Sequence, residues 1–159
     1  MGISKRLETI AKYVTPGYRA ADIGTDHGYV PIYLLRNQIS PYVIAVDLSK
    51  GSLEKAEQNI ARAGMSDKIE CRISDGLESI RPGEVDTIVI SGMGGILMER
   101  ILKAHMDVVC AAKELVLSPH RDPDLIRDFA RKNEFIIEYD EQIFDKKKYY
   151  TIIKIRINK

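Results

Sequence analysis

The stretch Ala21-Asp22-Ile23-Gly24-Thr25-Asp26-His27-Gly28-Tyr29-Val30-Pro31 constrains this chain most. An apolar run from Tyr18 to Ile23 ends in two glycines separated by polar residues, and a helix-compatible segment follows. Strand, tight turn and helix in that order open an α/β sheet. Gly24 and Gly28 lack a Cβ, so the backbone can turn sharply there and a ligand can come close.

The remaining chain repeats the alternation. Ser4 starts a helix with Leu7, Ile10, Ala11 and Val14 on one face, and Pro16-Gly17 stops it. A helix is predicted over Tyr29 to Arg36, then an apolar strand over Tyr42 to Asp47 that suits burial on both faces of a parallel sheet. Ser49 caps a helix over Lys50 to Ala63, with Gly64 as its stop. Strands are predicted over Lys68 to Ile73, Val85 to Ile90 and Glu114 to Leu117. Helices are predicted from Ile96, carrying Leu97, Ile101 and Leu102 toward the core, and over Asp124 to Asn133. Phe135 to Phe144 and Tyr149 to Ile157 are β-rich, and only Asp145-Lys146-Lys147-Lys148 separates them. That link is too short for a crossover, so the last two strands pair antiparallel. The expected fold is a doubly wound, Rossmann-like, mostly parallel seven-stranded sheet ending in an antiparallel hairpin.

The polar punctuation follows the strands: Asp22, Asp47, Asp75, the Ser91-Gly95 turn and Ser118 to His120. In an open parallel sheet those positions share the carboxyl edge, where ligands bind. Asp22 and Asp26 repel phosphate, which argues against a bare phosphate cradle. Acid with glycine suits a ligand offering an amine and hydroxyls, and S-adenosylmethionine has both and carries no phosphate. Asp47 either accepts hydrogen bonds from both ribose hydroxyls or caps the next helix. Asp75-Gly76 either meets an adenine amine or is an ordinary turn. Three glycines in Gly92-Met93-Gly94-Gly95 cost conformational entropy, and the reason is either backbone against a ligand or close helix–sheet packing. His27 and His120 fall in turns on the same edge, whereas His105 sits near a helix end.

The length of 159 residues fits one domain, and no apolar run approaches the ~20 residues that span a bilayer. The N-terminus lacks the apolar core of a signal peptide, and Gly2 reads as a cloning remnant. Cys71 and Cys110 lie far apart without metal-ligand spacing and read as buried thiols, so no metal is expected. A net charge of +1 gives no global attraction to nucleic acid, and Lys146-Lys147-Lys148 reads as a solvated hairpin tip.

The predicted sheet resembles that of the class I S-adenosylmethionine-dependent methyltransferases. More narrowly, Ser4-Lys5-Arg6-Leu7, Asp22 to Pro31, Gly92-Met93-Gly94-Gly95 and Lys148-Tyr149-Tyr150 resemble the bacterial tRNA (adenine(22)-N1)-methyltransferase family. Most methyltransferases carry a third glycine where Asp26 stands. The resemblance implies a cytoplasmic enzyme that moves the methyl of S-adenosylmethionine to N1 of an adenine in tRNA. It implies cofactor contacts from Arg6, Asp22, Gly24, Thr25, Asp26, His27, Gly28, Asp47, Leu48, Asp75, Gly76 and Gly92. Asp26, Gly92, Met93 and His120 are the expected catalytic positions, with Tyr29 and Pro119 as further walls for a flipped base. Family members continue into a helical extension thought to help hold tRNA. This sequence stops at Lys159, so one catalytic domain, a monomer and weak tRNA binding are expected. A different methyl acceptor and a non-catalytic S-adenosylmethionine- or RNA-binding module are the rivals. A nicotinamide-dependent oxidoreductase would need the Gly-x-Gly-x-x-Gly turn that Asp26 interrupts.

Overall fold

The structure, a computed structural model, describes residues 3–157; the reading of Gly2 and the final residue Lys159 lie outside them. Seven strands form one sheet in the order β3-β2-β1-β4-β5-β7-β6. Strands β1 (Ala20–Ile23), β2 (Val43–Asp47), β3 (Ile69–Ile73), β4 (Thr87–Met93) and β5 (Glu114–Pro119) are parallel, and β7 (Lys148–Arg156) inserts antiparallel between β5 and β6 (Ile136–Asp145). The all-apolar reading of the central strands holds: Ile44, Val46, Ile88, Ile90, Leu115 and Leu117 face one core and Val43, Ala45, Val89 and Val116 the other. Helices α1 (Lys5–Lys12), α2 (Tyr29–Arg36) and α3 (Lys50–Arg62) cover the second face, and α4 (Gly95–Ala104), α5 (Met106–Ala111) and α6 (Pro123–Lys132) the first. Both predicted serine caps are present: Ser4 Oγ accepts from the Leu7 amide at 3.2 Å and Ser49 Oγ from the Ser52 amide at 3.3 Å.

The structure corrects several details. Helix α5 spans six residues, too few to leave a periodic signal in the sequence. In α4 the expected Leu102 is buried and the expected Ile101 packs half-buried beside it, but Leu97 is exposed and Met98 is buried instead, because Met98, Ile101 and Leu102 share the face turned to the sheet. The hairpin turn is tighter than the four residues between the apolar runs suggest, since Asp145 and Lys148 already pair and only Lys146 and Lys147 turn. Both cysteines are free, but neither is fully buried: Cys71 is half-buried on β3, an edge strand, and Cys110 is exposed because its helix turns that side outward.

Glu114 ties the layers together. Its buried carboxylate accepts from the Thr15 amide at 2.8 Å and the Thr15 and Thr87 hydroxyls at 2.6 and 2.8 Å, with Lys154 Nζ at 3.6 Å. These contacts pin the chain just after α1 to β5, β4 and β7. Glu114→Gln would turn a donor toward donors, so we expect a loss of about 2 kcal/mol in denaturant unfolding, with no change in the slope of that transition.

Candidate active site

The turn after β1 is built by hydrogen bonds to its neighbour strand. The Gly24 and Thr25 amides both donate to the Val46 carbonyl at 2.9 Å, which carries the chain across the end of β2. Asp26 then takes a left-handed backbone conformation with φ 56°. Glycine adopts that conformation most readily, and aspartate is among the few other residues that tolerate it. The Asp26 amide donates to Asp47 Oδ2 at 2.9 Å, and the Ser49 amide donates to Asp47 Oδ1 at 3.0 Å. The helix cap of α3 is thus Ser49 and not Asp47; Asp47 braces the loop that leads into α3 together with the first turn. A carboxylate has about four acceptor sites, so about two are left for a ligand.

A cleft of about 100 Å³ opens beside this turn, lined by Arg6, Asp22, Gly24, Thr25, Asp26, His27 and Gly92, among others. Two features inside it are chemically incomplete. Asp22 is 3% exposed, and burial, aided by the Asp47 charge, pushes its carboxyl up to about 7. The Thr25 hydroxyl beside it offsets this in part, although that hydroxyl makes no hydrogen bond of full geometry. Across the cleft, Arg6 Nη1 is buried with no acceptor. The rest of Arg6 is well held: its amide donates to Asp145 Oδ2 at 3.1 Å and its guanidinium lies 4.9 Å from the Tyr150 ring centre. A buried carboxyl lacking a cation and a buried guanidinium nitrogen lacking an acceptor together suit an amino acid's ammonium and carboxylate.

The glycine cluster after β4 divides into separate jobs. Gly92 is the extra residue of a β-bulge between the Ser91–Ser118 and Met93–Pro119 pairs, with φ 78°. A Cβ there would meet nothing within 4 Å, so the glycine serves the backbone turn and leaves open space facing the cleft. The bulge aims Met93 across the first turn, where its Cε would lie 2.9 Å from a Cβ at Gly24. Gly94 caps α4 in an extended conformation, and the nearest atom to a Cβ there is Arg121 Cβ at 4.0 Å. Gly95 is a packing glycine: a Cβ would come within 2.9 Å of the Arg121 carbonyl and closer still to that of Asp122, and its amide donates to Arg121 at 2.8 Å.

Other predicted residues fall into place unevenly. His27 Nε2 is 3.7 Å from Asp26 Oδ2, and its ring packs on Tyr29 with centroids 5.2 Å apart. Gly28 is turned away from the cleft, because a Cβ would press on Ala56 of α3 at 3.3 Å. Leu48 stands 69% exposed at the end of β2, beside Ile73 at 57% on β3, which the sequence reading treated only as strand. Asp75 is exposed in the next turn and its carbonyl accepts from Glu78, while a Cβ on Gly76 would meet Ile101 of α4 at 3.0 Å. His120 closes the group; its amide donates to the Met93 carbonyl at 2.9 Å and its ring faces Tyr150 at 6.3 Å. Burial first, then the charges of Arg6, Lys148 and Arg121, hold its imidazole below the usual range. Ser91 also lines the cleft, which only its place at the bulge reveals. A larger groove of about 360 Å³ lies between α2 and α3 and shares Tyr29 with the cleft, but it has no acid and lies off the strand edge. Among the described residues no cluster of histidine, cysteine, aspartate and glutamate could hold a metal, and no helix is long and apolar enough to cross a membrane.

A sheet of this order with acids and glycines at its carboxyl edge defines a methyltransferase domain, and residues 3–153 match the family of that description. The chain belongs, within it, to the tRNA (adenine(22)-N1)-methyltransferase family. It is 37% identical over 143 residues to the tRNA (adenine(22)-N(1))-methyltransferase of Bacillus subtilis, covering 90% of this chain and 60% of that protein. The crystal structure of the B. subtilis M1A22 tRNA methyltransferase superposes with a TM-score of 0.94 at 33% identity, covering 99% of this chain and 67% of the other. The enzyme of M. capricolum in complex with S-adenosyl-homocysteine superposes at 0.88 with 30% identity, covering 99% and 70%. The chain thus spans about 60% of the curated relative's length.

Proposed function

We propose that this chain transfers the methyl group of S-adenosylmethionine to N1 of adenine 22 in tRNA, as a single catalytic domain acting as a monomer in the cytoplasm. The observation that carries the cofactor is the pairing of Asp22 with the unpartnered Arg6 Nη1 in one cleft. Asp22 takes the ammonium and Arg6 the carboxylate of the methionine end. The two free acceptor sites of Asp47 take the ribose hydroxyls. Leu48 and Ile73 offer apolar surface to the adenine, and Asp75 accepts from its amine. The family supplies the substrate, since relatives of the same fold at 33–37% identity are tRNA methyltransferases.

S-adenosylmethionine supplies an electrophilic methyl group on a sulfonium. The protein's share is placement, because adenine N1 already carries a lone pair and needs no base. Gly92 leaves room where the two reactants meet. Met93, Tyr29, Pro119 and the weakly basic His120 wall the space for a base that has left its stack. The Asp26 carboxylate, held in reach by the Asp47 brace, faces the positive charge that N1 methylation gives the base.

Incubation with labelled S-adenosylmethionine and bulk tRNA, followed by nucleoside analysis, should yield 1-methyladenosine. Cofactor binding without label in any RNA nucleoside would overturn the substrate. Asp47→Asn keeps the side chain's size but drops its charge and sets an amide NH2 against the Asp26 or the Ser49 amide, and we expect at least about tenfold weaker cofactor binding by calorimetry, or about 1.4 kcal/mol.

A further inference from the structure

We propose that the tip of the β6–β7 hairpin, with the loop after β5, is a shelf on which the RNA docks: unpaired bases rest on Phe144 and Tyr149 while Lys146, Lys147, Lys148 and Arg121 hold phosphates. The inference rests on the tRNA reading and names the surface that serves it. The first support is the turn itself. Lys146 and Lys147 both have positive φ, 49° and 66°, in a two-residue hairpin turn. That geometry favours Asn-Gly, and two lysines there carry backbone strain that a turn chosen for stability alone would avoid.

The second support is the aromatic pair. Phe144 and Tyr149 are cross-strand partners, 50% and 70% exposed, with ring centroids 4.9 Å apart. Exposed rings beside unpaired cations suit stacked bases and their backbone. None of Lys146, Lys147, Lys148 and Arg121 pairs with a carboxylate among the described residues, whereas Arg19, Arg72 and Arg127 are pinned in bidentate or networked ion pairs. Asp145, the acid at the turn, is occupied by the Arg6 amide.

The third support is continuity. A cavity of about 430 Å³ lies between this hairpin and the β5 loop, lined by His120, Arg121, Lys148, Tyr149 and Tyr150, among others. That is room enough for a nucleobase. It joins the cofactor cleft through Arg6, which lines the cleft and lies over Tyr150. A strand of RNA resting on the tip can therefore lead its target base past Tyr150 and His120 toward the cleft.

The test compares the chain with two variants, by tRNA binding across a salt series and by cofactor calorimetry. Lys146→Asn with Lys147→Gly gives the turn its preferred residues, so the hairpin should form at least as well. We expect tRNA affinity to fall at least tenfold, the salt slope to become shallower by about 1.4–1.8, and cofactor affinity to stay unchanged. Tyr149→Ala should weaken RNA binding at least fivefold with the salt slope unchanged, the mark of lost stacking. Variants that bind tRNA like the parent chain, with the same slope, would overturn the shelf and leave the tRNA reading standing. A parent chain that binds cofactor but, even at the lowest salt and highest concentration of the series, neither binds nor methylates tRNA would overturn both.

Discussion

Asp22→Asn should make the ligand-free protein more stable at pH 8 and at the same time cost it at least a hundredfold in affinity for S-adenosylmethionine. Burial holds the Asp22 carboxyl at about 7 in the folded chain, against an ordinary value near 3.8. Below about pH 4 the carboxyl is protonated in both folded and unfolded chains and contributes nothing. Between about pH 4 and 7 the folded chain keeps a proton that the unfolded chain has released, so stability falls as pH rises. Above pH 7 the full cost is present, at the upper end about 4 kcal/mol. Asparagine removes that cost, and the melting temperature should rise by several degrees at pH 8 and hardly at all at pH 4. The same substitution removes the carboxylate that meets the ligand's ammonium. Binding to the parent chain must expel the Asp22 proton below pH 7, so its affinity should drop toward tenfold per unit of falling pH there, and the variant's should not. Thermal melts and calorimetry across that range check both halves. An Asp22→Asn chain that binds the cofactor normally would remove the amino-acid end from this cleft.

Gly95→Ala should unfold the protein about 10 °C earlier, whereas Gly94→Val should leave the melt within a few degrees and abolish turnover. The two glycines are adjacent but do opposite work. A methyl at Gly95 meets the Arg121 and Asp122 carbonyls, backbone atoms that cannot rotate away, and threatens the amide bond to Arg121. Such a collision costs about 3 kcal/mol or more, which for a chain of this size is roughly that temperature shift. At Gly94 the conformation is open to any residue and the nearest atom is 4.0 Å away, so valine fits but crowds the entry between the bulge and His120. Equal destabilisation by both would mean that the whole cluster serves packing.

Strand ends were the most legible part of the chain. Asp47 was legible as an edge residue because it ends an apolar run and Asp75 because it follows a strand, whereas Asp22 lies inside β1, one residue before its end; the hairpin was legible because its link is too short to cross over. What stayed hidden depends on three-dimensional neighbours. Nothing local tells that Gly28 faces Ala56, that Gly95 packs on a loop some 26 residues away, or that Gly92 sits in a bulge. Arg6 was suggested by resemblance alone; its unpartnered nitrogen becomes visible only when α1 is folded over the β1 turn. The lysine run is solvated, as its sequence reads, but sequence cannot show that Lys146 and Lys147 occupy left-handed conformations.

Strand β7 runs against its neighbour β5, so the β6–β7 turn emerges at the same end of the sheet as the loops of the parallel strands. Had the chain returned in parallel, that turn would lie at the far end, remote from the cleft. The reversal lets two independent parts of the chain meet at one rim. The cofactor loops are locked into the double-sided core, while the hairpin tip is held by its own ladder and by the contacts of Asp145 and Tyr150 with Arg6, which leave Lys146 and Lys147 free of both. Substitutions at Lys146 and Lys147 can therefore accumulate, and with them a change in the surface offered to a substrate, while the residues proposed to hold the methyl donor stay fixed.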